Sequence, residues 1–269
     1  MHPLSEQLAR VYIRDFAAAD REIQWIATEQ EHSLWLAPNT VLVGRVDGEG
    51  ITGDGDHFFL ENKTMSAYRG RFIEEEKVKW RSDTQALTYG VLMGDKTRRF
   101  TVRWAIKPDE RSKTPTPKTD FEWYTYTTGE VAHWRNQLVS IATEIRARRS
   151  GPLPWRTNFG ACFRYGMKYA CPFFDKCSTQ KWLDSMGKPR IPHLKIEPVV
   201  RSEWKDLKYG SLVVLDASRV GDYLECPESY RRKWEGEGYQ EEGEALTIGT
   251  DFHSLVSEHI KSLIKEKVA

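Results

Sequence analysis

The sequence contains no uninterrupted apolar run approaching the roughly 18 residues that a membrane-spanning helix requires, so no bilayer-crossing element is expected. Its opening residues, MHPLSEQLAR, lack the apolar core of a secretory signal, and the expected compartment is the cytoplasm. An excess of either charge is also missing. The 40 Lys and Arg stand against 39 Asp and Glu, so a polyanionic partner has to be held by a local patch and not by a global field. Cysteine is scarce, at four residues, and in a reducing compartment these four are expected as thiols or metal ligands and not as disulfides. No internal repeat or low-complexity tract is visible. What remains is a chain of 269 residues with 39% hydrophobic and 12% aromatic residues, long enough to bury the core of one large domain or two small ones.

Leu8, Val11, Tyr12 and Phe16 recur at helical spacing and predict an amphipathic helix over residues 5–20. From Ile23 the pattern shortens towards alternation through IQWIATEQEHSLWLA, TVLVGRVDGEGI and, after a Gly- and Asp-rich turn, HFFLENKT. These predict three successive strands, the last two forming a hairpin. Ser82 and Asp83 are suitable caps for a helix over TQALTYGVLMG. RFTVRWAIK and FEWYTYTT read as strands on either side of a Pro- and Lys-rich loop, and residues 129–149 as a long helix. The expected organisation is a core over 1–150, a cysteine-rich lobe over 151–182, a connector over 183–210 and a helical segment over 211–269. Within the last, helices are expected around 218–234 and 250–265.

The strongest chemical signal is Asp47 near the end of one strand and Glu61-Asn62-Lys63 in the next. Strand side chains alternate, so Glu61 and Lys63 share a face. If the hairpin brings Asp47 to that face, two carboxylates and an ammonium converge in a set suited to a hard, oxygen-liganded cation such as Mg²⁺ or Mn²⁺. Such a cation polarises a phosphodiester and acidifies a bound water, and Lys63 is placed to orient that water or stabilise developing charge. The alternative for these three residues is a solvated hairpin face with an ordinary ion pair. Gln85 and Tyr89, one turn apart, share a face of the following helix.

Taken in order, V-D, E-x-K and Q-x-x-x-Y resemble the RecB-like nucleases of the PD-(D/E)xK superfamily, and most of all the phage-type exonucleases among them. Val46 stands where the superfamily's name has proline. The resemblance implies a restriction-endonuclease-like α/β fold, a mixed central sheet flanked by helices. It further implies Asp47 and Glu61 as metal ligands, a carbonyl of Asn62 as a further one, Lys63 as catalytic, and Gln85 and Tyr89 as supports of the DNA-bound site. Several branches of the family carry a 4Fe-4S cluster, and Cys162-x8-Cys171-x5-Cys177 with Cys226-Pro227 resembles its ligand set. Zinc is the alternative, although the close C-x2-4-C pairs usual in structural zinc sites are missing.

The segment SRVGDYLECPESYRRKW with IGTDFHSLVSEHI resembles the motif that opens the chain in relatives and includes a metal-proximal histidine, here His253. In this sequence it comes last. A circular permutation predicts that His253 approaches Asp47 and Glu61 in space, whereas a fragment of a longer tandem gene predicts that residues 218–269 extend away from the site. His259 faces elsewhere on the same helix, and His57 reads as a solvated turn residue. Arg69, Arg71, Lys77, Lys79, Trp80 and Arg81 form either a strand-binding groove or, with the three glutamates at 74–76 among them, a solvated helix face. The functional expectation is metal-dependent DNA cleavage, most simply by an exonuclease in recombination, repair or phage DNA processing, the DNA carrying a free end or a single strand. The alternative is a non-catalytic DNA-binding or assembly subunit that keeps the fold and cluster.

Overall fold

The computed structural model describes residues 2–94, 97–109, 111, 115–150, 155–156, 158, 161, 171, 212–236 and 244–268. They form a mixed α/β arrangement around a mixed sheet. Its strands are β1 (Gln24–Ala37), β2 (Thr40–Ile51), β3 (His57–Met65), β4 (Arg99–Ile106), β5 (Lys118–Thr125) and the short β6 (Val213–Leu215). The first five follow one another in spatial order, and β6 pairs with the start of β2. The helices are α1 (Pro3–Glu22), α2 (Ala67–Gly70), α3 (Ile73–Trp80), α4 (Thr84–Met93), α5 (Thr128–Arg149), α6 (Ala217–Glu225), α7 (Pro227–Tyr230) and α8 (Glu244–Val268). No helix among the described residues is long and apolar enough to cross a membrane.

The chain packs as two compact units built from discontinuous stretches. The first comprises residues 1–34, 43–136 and 242–269, and the second residues 35–42 and 137–241. In the first unit, β2 and β3 pair antiparallel through Gly48↔Leu60, whereas β3 and β4 run parallel over their length, with Glu61↔Val102 and Lys63↔Trp104 in register. The parallel pair is covered on both faces, which is why β4 is buried almost throughout. Alternation along β3 sorts its side chains. Phe58 and Leu60 join a core with Leu8, Tyr12 and Phe16 of α1 and Ile248, Phe252, Val256 and Ile260 of α8. Phe59 lies on the other face, stacked on Phe100 with ring centroids 5.0 Å apart and edge-on to Tyr89 of α4. Glu61 and Lys63 continue that second series.

Gly44 of β2 allows α4 to approach closely, since a Cβ there would lie 2.8 Å from Leu92 Cδ2 and 2.9 Å from Tyr89 Cε1. Asp83 caps α4, its carboxylate accepting the Gln85 N–H at 2.7 Å. In the second unit, β6 runs parallel to Thr40–Leu42, and α6 is capped by Asp216.

Two expectations are corrected here. The segment 211–269 opens with a strand, β6, whose run LVVL is short enough to pass for a helix approach. The helix expected around 218–234 is broken: α6 ends at Cys226, Pro227 starts α7, and a π-helical turn follows over Arg231–Gly236. Proline lacks the N–H that would continue the first helix. The cysteine-rich lobe and the connector lie largely outside the described residues.

Candidate active site

β2, β3, α4 and α8 of the first unit bring together the residues singled out in sequence. Asp47 sits one step beyond the last paired residues of the β2–β3 ladder, Gly48↔Leu60. Its carboxylate accepts the Asn62 backbone N–H at 2.6 Å, which fixes it over the strand end. Lys63 Nζ lies 2.5 Å from Glu61 Oε1 and donates to Gln85 Oε1 at 2.9 Å. The Gln85 amide in turn donates to Glu61 Oε1 at 2.7 Å and to the Tyr89 hydroxyl at 3.3 Å. Tyr89 donates to the Arg45 carbonyl at 3.0 Å. Gln85 and Tyr89, one helical turn apart, therefore bridge α4 to both strands that carry the carboxylates.

His253 of α8 reaches the same place. Its Nδ1 is 3.3 Å from Asp47 Oδ1, although the two residues lie at opposite ends of the sequence. The helix is set by Phe252, Val256 and Ile260, buried against α1 and β3, which leaves His253 at the rim of that contact. His259 points elsewhere, its Nε2 being 3.7 Å from Asp20. His57 is exposed at the start of β3.

Asn62 plays a different part from Glu61 and Lys63. Its side-chain oxygen accepts from the Tyr12 hydroxyl at 2.7 Å on the α1 face, and Arg103 donates to Tyr12 at 3.3 Å and to Asp20 at 2.7 Å. Arg103 and Asp20 form an almost completely buried ion pair. Breaking one partner of such a pair costs about 3–5 kcal/mol, because the other charge is left without compensation. This network clamps the strand from behind while its N–H holds Asp47 in front.

Burial pushes the Glu61 carboxyl up to about 7, with the Asp47 charge adding to the push and Lys63 opposing it. Glu61 Oε1 is occupied by Lys63 and Gln85, while Oε2 is buried without a hydrogen-bond partner among the described residues. For Lys63, burial pulls the ammonium down, but Glu61 outweighs it and the group stays firmly charged. Burial likewise pulls the His253 imidazole down, and the hydrogen bond and charge of Asp47 raise it beyond its ordinary value.

Sequence reasoning missed Glu29. One oxygen each of Glu29 and Asp47 and one ring nitrogen of His253 lie within 4.8 Å of one another, a spacing that can hold a metal ion. Glu29 interrupts β1 with φ 51°, a left-handed conformation that costs a non-glycine residue roughly 1–2 kcal/mol. The Thr28 hydroxyl meets that of Ser257 at 2.9 Å, so this irregular part of β1 lies along α8, one turn beyond His253. The run TEQEHS, polar at every position inside an otherwise alternating strand, was the available signal.

The basic residues of α2 and α3 are committed to acidic neighbours. Arg69 and Lys79 pair with Glu76, Arg71 with Asp109, and Lys77 with Glu74 and Asp120, and Arg81 lies 4.0 Å from Glu130. This is the pattern of a solvated charged face. Trp80 is buried, with Lys63 Nζ 5.3 Å from its ring centroid.

Cys171 and Cys226 belong to the second unit and neither forms a disulfide. Cys226 is buried at the start of α7, where its sulfur accepts the Asn158 N–H at 3.4 Å. Cys162 and Cys177 lie outside the described residues. Compared with known proteins, the chain matches no family model and no curated protein.

Proposed function

We propose that this protein is a divalent-cation-dependent nuclease that hydrolyses phosphodiester bonds of DNA at the site formed by Asp47, Glu61, Lys63 and His253. The observation that carries this reading is the convergence of two carboxylates, an ammonium and an imidazole from β2, β3 and α8, Glu61 and Lys63 being joined through Gln85 and Asp47 being held by the Asn62 N–H beside His253. An oxygen- and imidazole-rich donor set of this kind fits Mg²⁺ or Mn²⁺. When bound, such a cation neutralises phosphate charge and promotes ionisation of water.

The chain's own groups supply the rest. Asp47 and His253 offer ligand atoms, and Glu61 Oε2 is buried with no hydrogen-bond partner among the described residues. Lys63, held by Glu61 and Gln85, presents a fixed positive charge to a phosphate oxygen and orients a water through a donated hydrogen bond. Gln85 braces the Lys63–Glu61 pair by accepting from Lys63 and donating to Glu61, and Tyr89 holds Gln85 against β2. The similarity in sequence of V-D, E-x-K and Q-x-x-x-Y to RecB-like nucleases supports the restriction-endonuclease-like assignment and the reading of α8 as a permuted counterpart of those enzymes' opening motif. A 4Fe-4S cluster on Cys162, Cys171, Cys177 and Cys226 is part of the same proposal. What supports it in the described residues is a buried Cys226 thiol that already accepts a backbone N–H.

End-labelled linear and closed circular DNA, incubated with the full chain and Mn²⁺ or Mg²⁺, test the activity and its need for an end. Cleavage is expected with cation and is abolished by EDTA. Asp47→Ala and Lys63→Ala are each expected to lower turnover by at least about a hundredfold while leaving the folded far-UV spectrum intact. Cleavage undiminished in excess EDTA, or wild-type rates in either variant, would overturn the assignment.

A further inference from the structure

We infer that Glu29 is a ligand for the divalent cation, closing a three-element site with Asp47 and His253; the inference rests on the metal-dependent reading above and adds a residue and a position to it. Three donors of the appropriate types stand within 4.8 Å of one another, contributed by β1, β2 and α8. A carboxylate pair beside an imidazole is a common set for Mn²⁺.

A second observation points to the same place. Glu61, whose side chain is 4% exposed, leaves Oε2 without a hydrogen-bond partner among the described residues. Its other oxygen is taken up by Lys63 and Gln85, and the charges of Asp47 and His253 act on the carboxyl. A buried carboxylate oxygen with no donor among the described residues is what a cation close by would satisfy.

The surroundings of Glu29 are consistent with that role. Its ion-pair partner Arg45, at 3.0 Å, is 62% exposed and so is bound weakly enough to yield to a cation. The positive φ of Glu29 turns the chain at the point where β1 runs along α8, and a carboxylate at that point meets His253.

Mn²⁺ titration into the full chain without DNA, followed by electron paramagnetic resonance of the free ion, tests this separately from cleavage. Glu29→Gln is expected to weaken Mn²⁺ binding by about tenfold or more. Glu29→Gly should weaken it equally while leaving the unfolding temperature unchanged or higher, because glycine accepts positive φ without strain. Wild-type Mn²⁺ affinity in both variants, or no Mn²⁺ binding by the wild-type chain at millimolar ion, would overturn the inference. If the wild type binds Mn²⁺ and the variants bind it weakly, yet no DNA is cleaved, the ligand assignment stands and the nuclease reading falls. If DNA is cleaved while both variants bind Mn²⁺ as the wild type does, the nuclease reading stands and Glu29 falls.

Discussion

Glu61 and His253 hold protons more tightly in the folded chain than in free solution, and the consequence is a pH dependence with a definite sign. Burial lifts Glu61 from its ordinary 4.5 to about 7. The folded state therefore binds that proton better than the unfolded state does, so stability present at low pH is lost as pH rises from 4.5 through about 7. His253, raised above 6.5 by Asp47 in spite of its burial, acts in the same sense: its contribution is full below 6.5 and lost as pH passes its raised value. In EDTA the melting temperature should accordingly fall between about pH 5 and pH 8, and Glu61→Gln should flatten the lower part of that slope. Added Mn²⁺ should restore stability chiefly at the upper end, where the carboxylates are ionised and ready to ligate. A melting temperature that climbs across this window in EDTA would contradict the account.

At the scale of elements, the site depends on how closely α4 lies on β2. Gly44 has no side chain, and any Cβ there would press on Leu92 and on the ring of Tyr89. Gly44→Val should therefore cost roughly 1–3 kcal/mol through overpacking. By displacing Tyr89 and with it Gln85, it should also lower kcat more than a stability loss alone explains; an unchanged kcat in the folded variant would show that α4 does not position Lys63. Much of this was legible beforehand. Alternation placed Glu61 and Lys63 on one face, helical spacing placed Gln85 and Tyr89 together, and Asp83 was recognisable as a cap. His253 beside Asp47 followed from the likeness of its segment to a family motif, and its 3.3 Å contact is carried by the apolar stripe of α8. Glu29 was not legible as a site residue, because its place depends on a positive φ that Glu rarely adopts and that no neighbouring glycine announces. Nor was the clamp of Tyr12, Arg103 and Asp20, whose members converge only once α1 packs on the sheet. The choice between a groove of basic residues and a solvated face was left open, since sequence lists charges without showing which acids meet them.

At the scale of the whole molecule, each compact unit buries apolar side chains of its own, in the second Leu138, Ile141, Ile145, Leu215 and Val220. The first has a continuous apolar core running from Leu8 of α1 through Phe58 of β3 to Leu263 of α8. In the second, Cys226 ends α6, starts α7 and is buried with its sulfur accepting the Asn158 N–H. Ligation of one cluster by Cys162, Cys171, Cys177 and Cys226 would tie chain segments far apart in sequence, and the energy of metal binding would then be folding energy of that unit. Anaerobically purified protein is expected to be brown, with iron and acid-labile sulfide at cluster stoichiometry, and Cys226→Ser should bleach it. Loss of the cluster should loosen the second unit first, seen as early proteolysis within residues 151–236, while the first unit keeps its cooperative unfolding and its Mn²⁺ binding. Stoichiometric zinc without iron would replace the cluster by a zinc site on the same thiolates. A colourless, metal-free protein whose proteolysis pattern is unchanged by Cys226→Ser would remove the metal altogether and leave Cys226 as a buried apolar side chain.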